Sequence, residues 1–213
     1  MSKKKGLFIT LEGGEGSGKS TVIQLLSKRL SAMGYDVIIT REPGGVAVSE
    51  KIRDLLVHEK MDPLTEAMLF AASRNEITHQ LILPALEEGK VVLCDRFVDS
   101  SYVYQGMVRG IGLDVVERLN QPMMDLIPPD YTFYLDLDPR VGLERIRKNH
   151  REINKFDEEN LEFHERVRES YRALSKMDKH RNRIYTIQAD QSPEKVASDC
   201  LSILINGVTP IAL

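Results

Sequence analysis

The chain is expected to fold as an α/β protein, with a five-stranded parallel sheet flanked by helices. Short apolar runs rich in branched residues alternate with longer stretches of helical period, the pattern of parallel strands joined by crossover helices. A glycine-rich loop follows the first run, and charged motifs follow the second and third. Functional groups should therefore collect at the carboxyl rim of the sheet, where open parallel sheets bind their ligands.

Taken in order, "LFITL" (7–11) is the first strand. Val22, Leu25, Leu26, Leu30 and Met33 then mark one helical stripe, which Gly34 closes as a C-terminal stop. "DVIIT" (36–40) is the second strand, and "TEAMLFAASRNE" (65–76) has helical character. Pro84 should bend or split the helix that leads into the third strand, "VVLC" (91–94). "TFYLDL" (132–137) and "IYTI" (184–187) are the fourth and fifth strands, with a late helix between them marked by Phe163, Val167, Tyr171, Leu174 and Met177. No repeat, low-complexity tract or long Gly/Ser linker interrupts the chain, so residues 1–213 are expected to form one domain. At this length a single domain buries roughly 70% of its unfolded surface and needs no metal or disulfide to hold it together.

Bulk charge narrows the function classes. Lysine plus arginine (29) against aspartate plus glutamate (32) leaves a net charge of -3, which gives no general attraction to nucleic acid or to an anionic membrane. Cys94 and Cys200 form no close-spaced framework, and Cys94 lies in an apolar run, as a buried, reduced thiol would. "MSKKKGLFITLEGG" has too few apolar residues for a signal sequence, and no stretch approaches the length of a membrane span. A cytoplasmic protein without a membrane partner is expected.

"LEGGEGSGKSTV" (11–22) carries the strongest chemical signal. Gly13, four residues, then Gly18, Lys19 and Ser20, placed after a strand and before an amphipathic helix, is a P-loop. Its backbone N–H groups, from Gly13, Gly14, Glu15, Gly16, Ser17 and Gly18 to the helix start at Lys19, Ser20 and Thr21, suit a triphosphate. Lys19 would reach the β and γ groups, and the Ser20 hydroxyl would join a Mg²⁺ shell. A P-loop nucleoside triphosphate hydrolase-like fold and a nucleoside triphosphate ligand with Mg²⁺ follow. Glu15 is unexpected there, because it puts a carboxylate into a cradle for anions.

"NKFD" (154–157) has the form of a guanine-reading motif, but no apolar strand precedes it and no D-x-x-G follows the P-loop, so it is read as part of a charged loop. "REPGG" (41–45) and "DRFVDSS" (95–101) follow the second and third strands, so Arg41, Asp95 and Arg96 should converge at the sheet rim. Asp95 suits Mg²⁺ and its waters, and Arg96 suits a phosphate. Phe70 and Arg74 share a helix face four residues apart. Two readings stay open for them. Phe70 is core while Arg74 snorkels along it to solvent, or the ring stacks on a flat base and the guanidinium donates to a base carbonyl.

"EGGEGSGKST", "TREPGG", "LFAASR" and "DRFVDSSYVYQG", in this order and at these separations, resemble bacterial thymidylate kinases over most of the chain. That resemblance implies transfer of the γ-phosphoryl group of ATP to dTMP. It implies that Arg41 and Arg96 hold the acceptor phosphate, that Phe70 stacks on thymine and that Arg74 reaches its O4. Ser100, Ser101 and Gln105 would line base and sugar, Tyr104 would crowd the 2' position, and Glu15 would turn outward to accept from the 3'-hydroxyl. Lys19, Asp95 and Arg96 would serve catalysis, with Ser20 and Asp95 on Mg²⁺. A mobile lid at about 142–158, within "LERIRKNHREINKFDEEN", would supply cations: Arg145, Arg147, Lys148, Arg151 and Lys155 are available, and Arg151 is favoured. A homodimer is implied as well, to which "MDLIPPDY" (124–131) and nearby helices could contribute. Gly14, Phe97 and Lys155 depart from residues frequent in the family, and Lys155 lacks the planar fork of an arginine. Two other readings remain: a deoxynucleoside kinase with a 5'-hydroxyl acceptor, and a noncatalytic nucleotide-binding module.

Overall fold

The computed structural model describes residues 6–148 and 155–207. The strands are β1 (Leu7–Glu12), β2 (Val37–Arg41), β3 (Val91–Asp95), β4 (Tyr131–Asp136) and β5 (Ile184–Gln188). They form one parallel sheet in the order β2-β3-β1-β4-β5. Each predicted strand is present, with its ends moved by at most one residue, within the usual uncertainty of element boundaries.

Helices cover both faces of this sheet, so the central strands carry apolar side chains on both sides. Ile9, Leu11, Leu93, Phe133 and Leu135 pack against α1 (Lys19–Ala32) and α9 (Pro193–Gly207). Phe8, Val92, Cys94 and Tyr134 belong to the core on the other face, together with Ile77 of α3 (Pro63–Ile77) and Val167, Tyr171 and Leu174 of α8 (Leu161–Lys176). α2 (Ala47–His58) lies along α3, and α6 (Leu113–Leu126) also contacts α3. The remaining helices are α4 (Leu83–Glu87), α5 (Val98–Ser101) and α7 (Pro139–Lys148).

Three details correct or refine the sequence reading. Met33 leaves the α1 stripe: it caps the helix, 43% exposed, because Gly34 at φ 90° turns the chain away there. The helix before β3 is split, with a π-helical turn at Thr78–Ile82 between α3 and α4. Pro84, in the first turn of α4, cannot donate to the preceding turn, and a widened π turn makes room for its ring. A second π segment, Tyr102–Val108, continues α5 and carries Tyr104 and Gln105.

Register places the functional motifs at one rim. Leu11 and Arg41 both pair with Asp95 across the ladder, so β1, β2 and β3 end side by side where the P-loop begins. α7 is tied directly to that loop. A Cβ on Gly16 would lie 2.1 Å from the Gly142 carbonyl oxygen, and one on Gly142 would lie 2.3 Å from the Glu15 carbonyl oxygen. Only two glycines allow this approach of backbone to backbone.

Candidate active site

A cavity of about 550 Å³ opens at the carboxyl rim of the sheet. Its walls hold P-loop residues Glu15 to Thr21 at one end and Arg41, Phe70, Arg74, Arg96, Ser100, Ser101, Tyr104 and Gln105 beyond them, with Asp95 between. The carbonyls of Gly13 and Gly14, at the start of the loop, accept from Lys19 Nζ at 3.1 and 3.0 Å. Burial, reinforced by the nearby positive charge of Arg96, lowers the Lys19 pKa to about 8. Ser20 Oγ donates to Asp95 Oδ2 at 2.9 Å, which brings together the two groups expected to share a cation.

Glu15 turns its side chain away from the P-loop amides. Its carboxylate accepts from Arg96 Nη2 at 3.0 and 2.9 Å and from the Tyr104 hydroxyl at 3.0 Å. The one carboxylate of the loop thus faces the neighbouring chamber. Burial disfavours the Arg96 charge, but Glu15, the nearby tyrosines and Asp95 outweigh it and keep the guanidinium charged. The Tyr104 ring also lies 5.1 Å from the Arg96 guanidinium, within range of a cation–π contact. Burial raises the Tyr104 hydroxyl well above its usual pKa.

Arg74 does not snorkel. It is 1% exposed, so the reading in which it reaches solvent along Phe70 is corrected. Nε donates to Glu42 Oε2, Nη1 to Asn120 Oδ1, and Nη2 to the Phe97 carbonyl and Ser101 Oγ. A guanidinium has five N–H groups, so one on Nη1 is left over. Burial pushes the Glu42 carboxyl up to about 7, against the pull of Arg74. Phe70 lines the cavity, and its ring centroid is 6.4 Å from that of Phe156. Gln105 donates to the buried carboxylate of Glu66.

Several residues at this site escaped the sequence reading. Arg53 lines the cavity and donates to the Pro43 carbonyl, adding a cation close to Arg41 and Arg96. Glu12 is buried at the end of β1, where burial and the nearby Asp99 charge raise its pKa. Tyr171 appeared as a core residue of α8, yet its hydroxyl donates to Glu12 Oε2. The described part of the "NKFD" segment, residues 155–157, is not simply a solvated charged loop: Lys155 Nζ binds Glu66 at 2.8 Å, and Phe156 is buried against Phe70 and Tyr104. The lone clue in the sequence was one aromatic inside a charged run.

Arg145 lines the P-loop side of the cavity together with Gln191 and Pro193, whereas Arg151 lies outside the described residues. Arg41 is half exposed and paired with Glu50, which also accepts from the Gly45 amide. No cluster of three His, Cys, Asp or Glu side chains occurs among the described residues, and no helix there is long and apolar enough to cross a membrane.

The thymidylate kinase family model matches residues 11–200. A thymidylate kinase of Clostridium novyi is 49% identical over 204 residues, covering 94% of this chain and 98% of the relative. One from Oceanobacillus iheyensis is 50% identical, covering 93% and 89%. The crystal structure of thymidylate kinase from Ehrlichia chaffeensis superposes with a TM-score of 0.75 at 34% identity, covering 94% of this chain and 99% of that one. With the family model matching residues 11–200 and these relatives aligning along nearly the whole length, the chain belongs to the thymidylate kinase family.

Proposed function

We propose that this protein transfers the γ-phosphoryl group of ATP to the 5'-phosphate of dTMP, giving dTDP and ADP. The observation that carries this reading is a single cavity with a P-loop at one end and Phe70, Arg74 and Arg96 at the other. A phosphate oxygen of dTMP attacks the γ-phosphorus as the bond to the β–γ bridging oxygen breaks, and ADP leaves with that oxygen. The acceptor phosphate is already ionised, so no general base is required.

Lys19 and the loop amides hold the β and γ groups of ATP, with Arg145 and Gln191 beside the rest of the donor. Arg96 and Arg41 clamp the acceptor phosphate, and Glu15 accepts from the 3'-hydroxyl. Phe70 stacks on thymine, the free N–H of Arg74 reaches a base carbonyl, and Ser101, Tyr104 and Gln105 close the base and sugar pocket. Ser100 contributes lone pairs, since its hydroxyl proton goes to Glu12. The chemistry is mainly one of positioning and charge neutralisation.

Ser20 and Asp95 fit Mg²⁺, which keeps several waters and takes few protein ligands when phosphates complete its shell. Bound there, the ion would neutralise charge on the transferring phosphates. Residues 142–158 would form a lid that excludes water, with Arg151 adding positive charge. A homodimer completes the reading. The packed helices α2, α3 and α6 carry exposed Val48, Leu55, Leu64, Met68 and Leu126, a surface suited to a second copy. The protein would work in the cytoplasm as one domain.

The deciding experiment is ADP release with ATP·Mg²⁺ held constant and dTMP, dUMP, dCMP, AMP or thymidine as acceptor. dTMP should be best. dUMP, lacking one methyl, should be about 10- to 200-fold poorer but measurable. dCMP should be rejected, because its amino group meets Arg74 donor to donor. Preference for thymidine would favour a deoxynucleoside kinase, and nucleotide binding without turnover would favour a noncatalytic module.

A further inference from the structure

We infer that Glu12 and Tyr171 are positioning residues for Arg96, fixing its guanidinium at a set distance from the P-loop. The inference rests on the reading of Arg96 as the acceptor-phosphate ligand and supplies the device that holds it.

Arg96 has a φ of 72°, a conformation that a residue with a Cβ seldom adopts. Both of its flanking peptide units hang on the end of β1. The Arg96 amide donates to the Leu11 carbonyl at 3.0 Å, and the Phe97 amide donates to Glu12 Oε1 at 2.8 Å. The side chain is held through the same carboxylate. Ser100 Oγ and the Tyr171 hydroxyl both donate to Glu12 Oε2, at 2.6 and 2.7 Å. Each hydroxyl has one hydrogen, so both then present lone pairs to Arg96 Nη1, which lies 3.1 Å from Ser100 and 3.4 Å from Tyr171. Glu15 holds the other nitrogen, Nη2.

Glu12 immediately precedes Gly13. Its backbone therefore starts the P-loop while its side chain sets the position of Arg96. One residue of β1 links the cradle of the donor to the clamp of the acceptor, and in-line transfer depends on that separation. Tyr171 adds a tie from α8, on the opposite side of the lid segment in the chain.

Tyr171→Phe tests this, because the ring remains stacked on Tyr134 at 4.9 Å and only the hydroxyl is lost. The dTMP Kd, measured by calorimetry without ATP, and the KM for dTMP should both rise about tenfold. The KM for ATP should stay at its wild-type value. Tyr134→Phe is the control: its hydroxyl bonds Asp136 and the Arg168 carbonyl rather than Arg96, and it should leave both KM values unchanged. Glu12→Gln should produce a larger loss of the same kind, and if that variant fails to fold, Tyr171→Phe still decides. Wild-type dTMP affinity in Tyr171→Phe overturns the inference alone, as does an equal loss in both tyrosine variants with a lowered Tm. A wild-type protein that neither binds nor turns over dTMP overturns the inference together with the reading beneath it.

Discussion

At the P-loop end of the cavity, the lining residues 15–21 run consecutively, and the proposed donor site relies mainly on backbone N–H groups. The opposite end is assembled from β1, β2, α3, α5, the π segment after it, α6 and α8, and it works through side chains. At that end Arg74 is held by Glu42, Asn120, Phe97 and Ser101, none of them within twenty residues of it in sequence. A backbone cradle tolerates its environment because its donors need no partner to orient them. A chamber of buried charges works only if every charge is met, and removing one partner leaves the other desolvated and unpaired.

The largest expected effect tests that difference on stability. Arg74→Ala should destabilise the protein by about 3–5 kcal/mol, because Glu42 and Asn120 lose their partner in the interior. Arg41→Ala, which removes a half-exposed pair with Glu50, should cost no more than about 1 kcal/mol. Denaturant titration of the two variants checks this, and equal losses would erase the distinction between buried and rim arginines.

Next in size is the division between the two ends at Glu15, which belongs to the P-loop in sequence but faces Arg96 and Tyr104. Glu15→Ala should weaken dTMP binding by about 10- to 100-fold, the worth of hydrogen bonds to a charged group, with little change in ATP affinity. Calorimetry with each nucleotide separately reads the split; equal losses would place the carboxylate at the donor end.

The smallest effect sharpens the donor end alone. Lys19 has a pKa lowered to about 8, so above that pH a growing share of the free protein carries a neutral amine. A bound triphosphate favours the ammonium. Binding must then take up a proton, and ATP affinity should fall by at most about tenfold per pH unit above about 8 until the pKa of the complex is reached. Titrations in two buffers of different ionisation enthalpy would detect the uptake, and a flat affinity from pH 7 to 9 would contradict it.

Individual residues show why one end was legible in the sequence and the other only in part. The P-loop could be read because loop and helix start are local and glycine, lysine and serine occur at fixed offsets. Arg41, Asp95 and Arg96 could be placed because parallel strands align their ends. Arg74 was undecided, since the spacing from Phe70 gives a helix face but not what covers it. Tyr171 carried only the periodicity of a core residue, and nothing in its neighbourhood signals that the hydroxyl meets Glu12, 159 positions away. Arg53 and Phe156 lacked any spacing signal, and the second π segment, Tyr102–Val108, inserts a residue without leaving a compositional mark.

By itself, the sequence determined the five strands, the P-loop and the sidedness of the sheet, because hydrophobic period, glycine conformational freedom and strand direction act over short distances along the chain. Only the tertiary structure decided which charges are buried and which of them meet. Burial and pairing depend on residues far apart in the chain, and the free energy of a desolvated charge is set by whatever the completed fold places beside it.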